Sequence, residues 1–259
     1  MSAREELRAR VFVRALVPLL ELVVRDHPSM ASAFASVDAT VQVALAGSPL
    51  AARLTFDGGR LTVSNESGPA DLAFTFKDVA ALNAFFGGAL VLPSVAGALR
   101  HPVLLTRVAR LFAKLGMLQP QEAPADGAER ALRVTLLLQL VTRALAELQH
   151  GGHPGMNALT AASPDRLYQW SVAREGIHAW LRMKDGKVLT GRGACPDREP
   201  FVHFVFPDVD AALAVLTATG SQMDGVRGGA VEVIGSPEYS RKISLLMQQV
   251  DQLLVEGSA

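Results

Sequence analysis

Phe74-Thr-Phe-Lys-Asp-Val-Ala-Ala81 and Phe204-Val-Phe-Pro-Asp-Val-Asp-Ala211 stand 130 residues apart and read alike. In each, residues alternate along a short run: Leu72, Phe74 and Phe76 on one face against Ala73 and Thr75, then Val202, Phe204 and Phe206 against His203 and Val205. That period of two is a half-buried strand. Asp78 or Asp208 follows, where a carboxylate opposes the positive end of a helix dipole, and an apolar helix runs on to Gly87-Gly88 or Gly220.

The likeness extends outward in both directions. Leu54-Thr-Phe-Asp-Gly-Gly-Arg60 matches Leu181-Arg-Met-Lys-Asp-Gly-Lys187, and Val41-Gln42 matches Tyr168-Gln169, both at an offset of 127. Further upstream, His27-Pro28-Ser29-Met30 matches His153-Pro154-Gly155-Met156 at an offset of 126, each closing a long apolar helix (about 4–26 and 128–149). Downstream, Pro102 and Pro237 open the last helix of each half (about 100–117 and 237–255) at an offset of 135. The drift of the offset places small insertions in loops. One order of helix, hairpins, strand and helix, kept twice, marks an internal duplication.

Between the long helix and the Phe-x-Phe strand, each half reads as three strands: 41–46, 50–56 and 60–64, then 168–173, 177–183 and 187–190. Gly47-Ser-Pro49, Asp57-Gly-Gly59, Glu175-Gly176 and Asp185-Gly186 supply the turns. A final strand is clear at Ala230–Ile234 and blurred by proline at Ala89–Pro93. The expected boundaries are a first domain at 1–118, a polar, Pro-rich linker at 119–127 and a second domain at 128–259. In the first long helix Arg14, Glu21 and Arg25 form one narrow wet stripe on an otherwise apolar rod.

Composition narrows the function. The 259 residues carry 25 Lys+Arg and 25 Asp+Glu, so no basic field is available for nucleic acid. Hydrophobic residues are 49% and charged residues 19%, with a mean hydropathy of +0.25; this apolar excess needs a large core or a further apolar destination. Val11–Val24 is interrupted by Arg14, Pro18 and Glu21 and recurs as Val134–Leu148, so it reads as a structural helix, not a leader or a stable membrane span. A single cysteine, Cys195, excludes an internal disulfide and fits a reducing compartment, hence a cytoplasmic location.

The strand 70–76 with its Asp-started helix resembles the core of the sterol carrier protein type-2 family. The second copy is the more similar, through Pro200–Phe206, Asp208–Gly220, Gly228-Gly-Ala-Val-Glu-Val-Ile-Gly235 and Ser240-Arg-Lys-Ile-Ser-Leu-Leu246. The resemblance implies an α+β fold in tandem: two curved, mostly antiparallel sheets of about five strands, helices on one face, and an apolar tunnel between them. It implies a protein that sequesters or carries an acyl chain, sterol or isoprenoid-like molecule, or an accessory protein of a lipid or quinone pathway with collapsed pockets. The first copy departs from the pattern at Pro93 and His101-Pro102.

No catalytic constellation emerges: there is no G-x-S-x-G, H-E-x-x-H or phosphate-binding loop. His150 and His153 lack a third ligand for zinc, and the recurring His27 and His153 read as helix-terminus caps. No enzyme activity, metal or cofactor is therefore expected. The candidate ligand wall is apolar: Phe74, Phe76, Phe85, Phe86, Leu104, Leu105 and Phe112 in the first copy, and Phe204, Phe206, Leu216, Met223, Leu245, Leu246 and Met247 in the second. Phe85-Phe86-Gly-Gly and the glycine-rich 220–229 read as lids, with Arg100 and Arg227 at the mouths. Expected partners are a lipid or other hydrophobic small molecule, and an enzyme the protein assists. The two halves are expected to pair within one chain as a pseudo-dimer, through their first helices.

Overall fold

The N-terminal rod is shaped by a single proline. In the computed structural model, which describes residues 2–118, 124–217 and 229–255, helix α1 (Ala3–Val11) leads through a π turn (Phe12–Leu16) and a 3-10 turn (Val17–Leu19) into α2 (Leu20–Asp26). Pro18 has no N–H, and its ring would strike the carbonyl four residues earlier in a regular helix. The chain widens instead, and the Val17 N–H bonds the Phe12 carbonyl five residues back. Ala144 stands at the matching place in the second half. There α6 (Gly127–His150) runs 24 residues without a break.

The chain forms two compact units: Met1–Gly116 with the chain end from Leu253, and Met117–Gln252. In unit 1, α3 (Pro28–Phe34) precedes β1 (Ala39–Leu45), β2 (Ala51–Asp57), β3 (Arg60–Ser64) and β4 (Leu72–Phe76). Next come α4 (Val79–Phe86), β5 (Ser94–Ala96) and α5 (Pro102–Ala113). The sheet order is β3-β2-β1-β4-β5, with β1 and β4 parallel and the other neighbours antiparallel. In unit 2, α6 and α7 (Pro154–Ala161) precede β6 (Asp165–Val172), β7 (Ile177–Lys184), β8 (Lys187–Arg192) and β9 (Val202–Phe206). Then α8 (Val209–Leu216), β10 (Glu232–Gly235) and α9 (Pro237–Val255) follow. Its order is β10-β9-β6-β7-β8 with β6 and β9 parallel, so both sheets share one topology. The fold is α+β, and each five-stranded sheet is mostly antiparallel.

Register decides which residues face the core. Pairing of Val41 with Leu72, Val43 with Phe74 and Leu45 with Phe76 puts all six on one face. Tyr168, Trp170 and Val172 share the corresponding face with Val202, Phe204 and Phe206. The first helical rod packs over β2 and β3, and α6 over β7 and β8.

The structure corrects two local readings and extends a third. His27 and His153 are helix-terminus caps, as expected, and each also opens a short helix that the sequence did not reveal, α3 or α7, with Pro28 or Pro154 in the first turn. Proline suits that position because the N–H it lacks would be unpaired anyway; the His153 side chain also accepts the Met156 N–H. In unit 1 the last strand lies beyond Pro93, at Ser94–Ala96, since a residue without an N–H breaks the ladder. Glu21 is not a wet residue: it is half-buried and its carboxylate takes the Val63 N–H at 2.5 Å. The glycine-rich 220–229 lies, apart from Gly229, outside the described residues.

The blurred element of unit 1 still keeps its glycine. Gly97 (φ 84°) and Gly235 (φ 105°) end β5 and β10 in the left-handed region. A Cβ on Gly97 would fall 2.0 Å from the Asp71 carbonyl oxygen, and one on Gly235 would fall 2.2 Å from that of Phe201. Only glycine permits both the backbone angle and the approach.

Candidate functional site: two apolar sheet faces

In unit 1 the predicted aromatics converge. Asp78 caps α4 by accepting the Ala81 N–H at 2.7 Å, which sets the helix so that Phe85 and Phe86 fall in its last turn. They are helix residues, placed before the glycines and not in the loop after them. Phe76 lies 5.2 Å from Phe85 and 6.1 Å from Phe86, ring centre to ring centre, and Phe112 of α5 reaches Phe74 at 6.1 Å and Phe86 at 6.3 Å. Phe85 and Phe86 meet edge to face. A sixth ring completes the network: Phe12, from the π turn, stacks on Phe86 at 5.3 Å. Leu104 is buried on α5 and Leu105 half-buried beside it.

Phe12 was not legible as a site residue, because the signal lies in another element. Its ring meets Phe86 from a helix 74 residues earlier in the chain.

Unit 2 is built differently on the same frame. Asp208 caps α8 through the Ala211 N–H at 2.9 Å. Phe204 and Phe206 are buried on the core face of β9, Leu216 is half-buried at the end of α8, and Leu246 and Met247 are buried on α9. Leu245 is 48% exposed and points away from that core. Met223 and Arg227 lie outside the described residues. The missed residue here is Trp170: it is 1% exposed, and its indole stacks on Phe204 with centroids 5.4 Å apart and planes 6° from parallel. Its Nε1 is buried and has no hydrogen-bond partner among the described residues.

That indole N–H is out of keeping with its surroundings. A donor buried in an apolar wall costs about 1–3 kcal/mol unless something accepts its proton. In unit 1 the matching face carries Val41, Val43 and Leu45 where unit 2 has Tyr168, Trp170 and Val172. The first unit thus presents hydrocarbon alone, and the second adds two polar atoms to the same wall, the Trp170 Nε1 and the Tyr168 hydroxyl. Tyr168 is wholly buried, and burial pushes its hydroxyl pKa up, partly countered by Ser163 and Arg166.

The opposite faces are polar. Gln42 accepts the Gly68 N–H at 3.1 Å and Gln169 accepts the Cys195 N–H at 3.5 Å, so each glutamine pins the loop that returns the chain to the sheet. Ser171 lies 2.7 Å from His203 Nε2, and burial followed by the charge of His178 holds the His203 pKa below its usual value. Asp165 is gripped by both Arg182 nitrogens at 2.8 Å and by Arg198, and the Arg182 hydrogen bond does most to hold its carboxyl far below the usual range. Among the described residues no group of three or more His, Cys, Asp or Glu is placed to hold a metal. No helix among them is long and apolar enough to cross a membrane.

No protein-family model matches the chain, and no curated protein matches it in sequence. Solved structures do resemble parts of it. Palmitated SCP2L2 from Aedes aegypti is 18% identical with a TM-score of 0.26, over 35% of this chain and 86% of that one. The UbiJ-SCP2 ubiquinone synthesis protein is 12% identical with a TM-score of 0.31, over 51% of this chain and 98% of its own. The inverting sec-alkylsulfatase Pisa1 from Pseudomonas sp. is 13% identical with a TM-score of 0.26, over 56% of this chain and 28% of its own.

Proposed function

We propose that this chain is a tandem lipid-binding protein of the sterol carrier type, in which the second domain holds a hydrophobic molecule and the first is chiefly structural. The domains are read as 1–118 and 128–259, joined by the linker 119–127. The observation that carries the reading is the unpartnered indole N–H of Trp170, stacked on Phe204 in a wall that is apolar apart from the Tyr168 hydroxyl. A ligand with a hydrocarbon body and one carbonyl, carboxylate or hydroxyl oxygen satisfies both demands of that wall.

The proposed ligand wall of unit 2 is Phe204, Phe206, Leu216, Leu246 and Met247, with Trp170 added and Leu245 removed because it faces outward. Each methylene transferred from water is worth about 0.8 kcal/mol, so a long acyl chain supplies ample affinity before ordering costs. The oxygen fixes its position. In unit 1, Phe74, Phe76, Phe85, Phe86 and Phe112 pack on one another and on Phe12. That network favours a filled interior there, which is the collapsed form expected of an accessory domain.

Native mass spectrometry of the full chain, purified without detergent, tests the reading. One molecule of lipid mass per chain, released by denaturation and taken up again by the emptied protein, is expected. A bare chain that takes up no acyl chain, sterol or isoprenoid in titration overturns it.

A further inference from the structure

The β5 edge of unit 1 displays large apolar side chains that the fold leaves uncovered. Leu90 is 95% exposed, Leu92 81%, Leu99 100% and Val103 63%. They bracket the edge strand: Leu90 and Leu92 precede β5, and Leu99 and Val103 follow it. Between Gly97 and Pro102 the chain carries Ala98-Leu99-Arg100-His101, where unit 2 needs only Ser236 between Gly235 and Pro237. The three additional residues are not required by the topology, and they include the most exposed leucine and an exposed arginine.

The charge of this segment is one-sided. From residue 79 to residue 121 the sequence has no Asp or Glu, although 25 acids in 259 residues would place about four there. The same stretch carries Arg100, Arg107, Arg110 and Lys114. Val103, Arg107, Arg110 and Lys114 are spaced four, three and four residues apart, so they form one stripe along α5 and its 3-10 extension. The buried stripe of that helix is Leu104, Val108 and Leu111, one position round. None of the four cations makes an ion pair or hydrogen bond among the described residues. Exposed Val103 opens the cationic stripe and follows Leu99 and Arg100 closely in the chain, so the uncovered apolar run leads into the cations at the start of α5.

We infer that this edge docks on the surface of an anionic lipid bilayer, Leu90, Leu92 and Leu99 entering the interface and Arg100, Arg107 and Arg110 meeting lipid phosphates. Separate exposed leucines leading into a cationic helix stripe suit a fluid apolar layer beneath a negatively charged surface. A protein partner would call for a continuous apolar patch with few charges at its centre. The inference stands on the exterior of unit 1 and holds whether or not unit 2 takes a ligand.

Flotation of the full chain with vesicles tests it, using phosphatidylcholine alone and phosphatidylcholine mixed with phosphatidylglycerol. Binding is expected to the mixed vesicles only, weakening with added salt. Leu92→Ser with Leu99→Ser, and separately Arg100→Gln with Arg107→Gln and Arg110→Gln, are each expected to weaken it about tenfold. All five positions lie outside the core, so melting temperature and acyl-chain uptake should match the parent protein. A parent chain that stays off both vesicles, or variants that bind as it does, overturns the inference. So does recovery of this edge bound only to an acidic protein.

Discussion

The indole of Trp170 lies parallel to the ring of Phe204, 5.4 Å away, with its Nε1 buried and unpartnered. The parallel pairing of β6 with β9 sets these two residues side by side. Phe204 fixes the plane of the indole, and the plane fixes where the N–H points. Trp170→Phe keeps the stacking and removes the donor. Affinity for an acyl ligand bearing a terminal oxygen is expected to fall about tenfold, by titration calorimetry, while the stability of the empty protein stays equal or rises by about 1 kcal/mol.

The aromatic network of unit 1 makes the opposite prediction. Phe86 touches four rings, Phe12, Phe76, Phe85 and Phe112. Phe86→Ala is expected to cost about 2–4 kcal/mol in urea unfolding, from lost contacts and the cavity left behind. Ligand affinity should be unchanged, because the proposed ligand site lies in unit 2.

Gly97 and Gly235 test whether the two units share one construction rule. Each alanine variant forces a left-handed backbone angle and a collision with a carbonyl oxygen of the preceding strand's entry. Each is expected to lose more than about 1 kcal/mol by chemical denaturation. A neutral Gly97→Ala would mean that β5 does not end as β10 does.

Two groups give the stability a pH dependence of known sign. Asp165 is depressed by Arg182 and Arg198, so its contribution is complete above the ordinary value of 3.8 and is lost as pH falls from there through its lower folded value. His203 is depressed by burial and by His178, so it is neutral in the fold when it would already be charged in the open chain. Stability therefore falls as pH drops below 6.5 and flattens once the folded imidazole also protonates. Urea unfolding across pH should show both steps, with Asp165→Asn removing the lower and His203→Gln the upper.

Much of this architecture was legible because it is written in local chemistry. Asp-Gly turns, the Phe-x-Phe alternation and the aspartate before each following helix act within a few residues, and their double occurrence made the shared topology visible. What escaped depends on contacts distant in sequence. Trp170 belongs to the wall only through its register against Phe204, and Phe12 meets Phe86 across 74 residues of sequence. α3 and α7 do not stand out in the sequence because His-Pro serves equally well after one helix and before the next. The strand β5 lies later than the sequence suggests because a proline that ends one extended run also precedes another.

The central claim is that the interior of unit 2 holds an oxygen-bearing hydrophobic molecule on Trp170. The chain has two tryptophans, which makes one measurement decisive. In the nitrogen-15 NMR spectrum of the emptied full chain, addition of a long-chain fatty acid should move the Trp170 indole N–H in the direction of a new hydrogen bond. The half-buried Trp180, on the other face of the sheet, should stay within its original line. A spectrum in which the Trp170 resonance does not respond, under conditions where fatty acid is present in excess, would contradict the account.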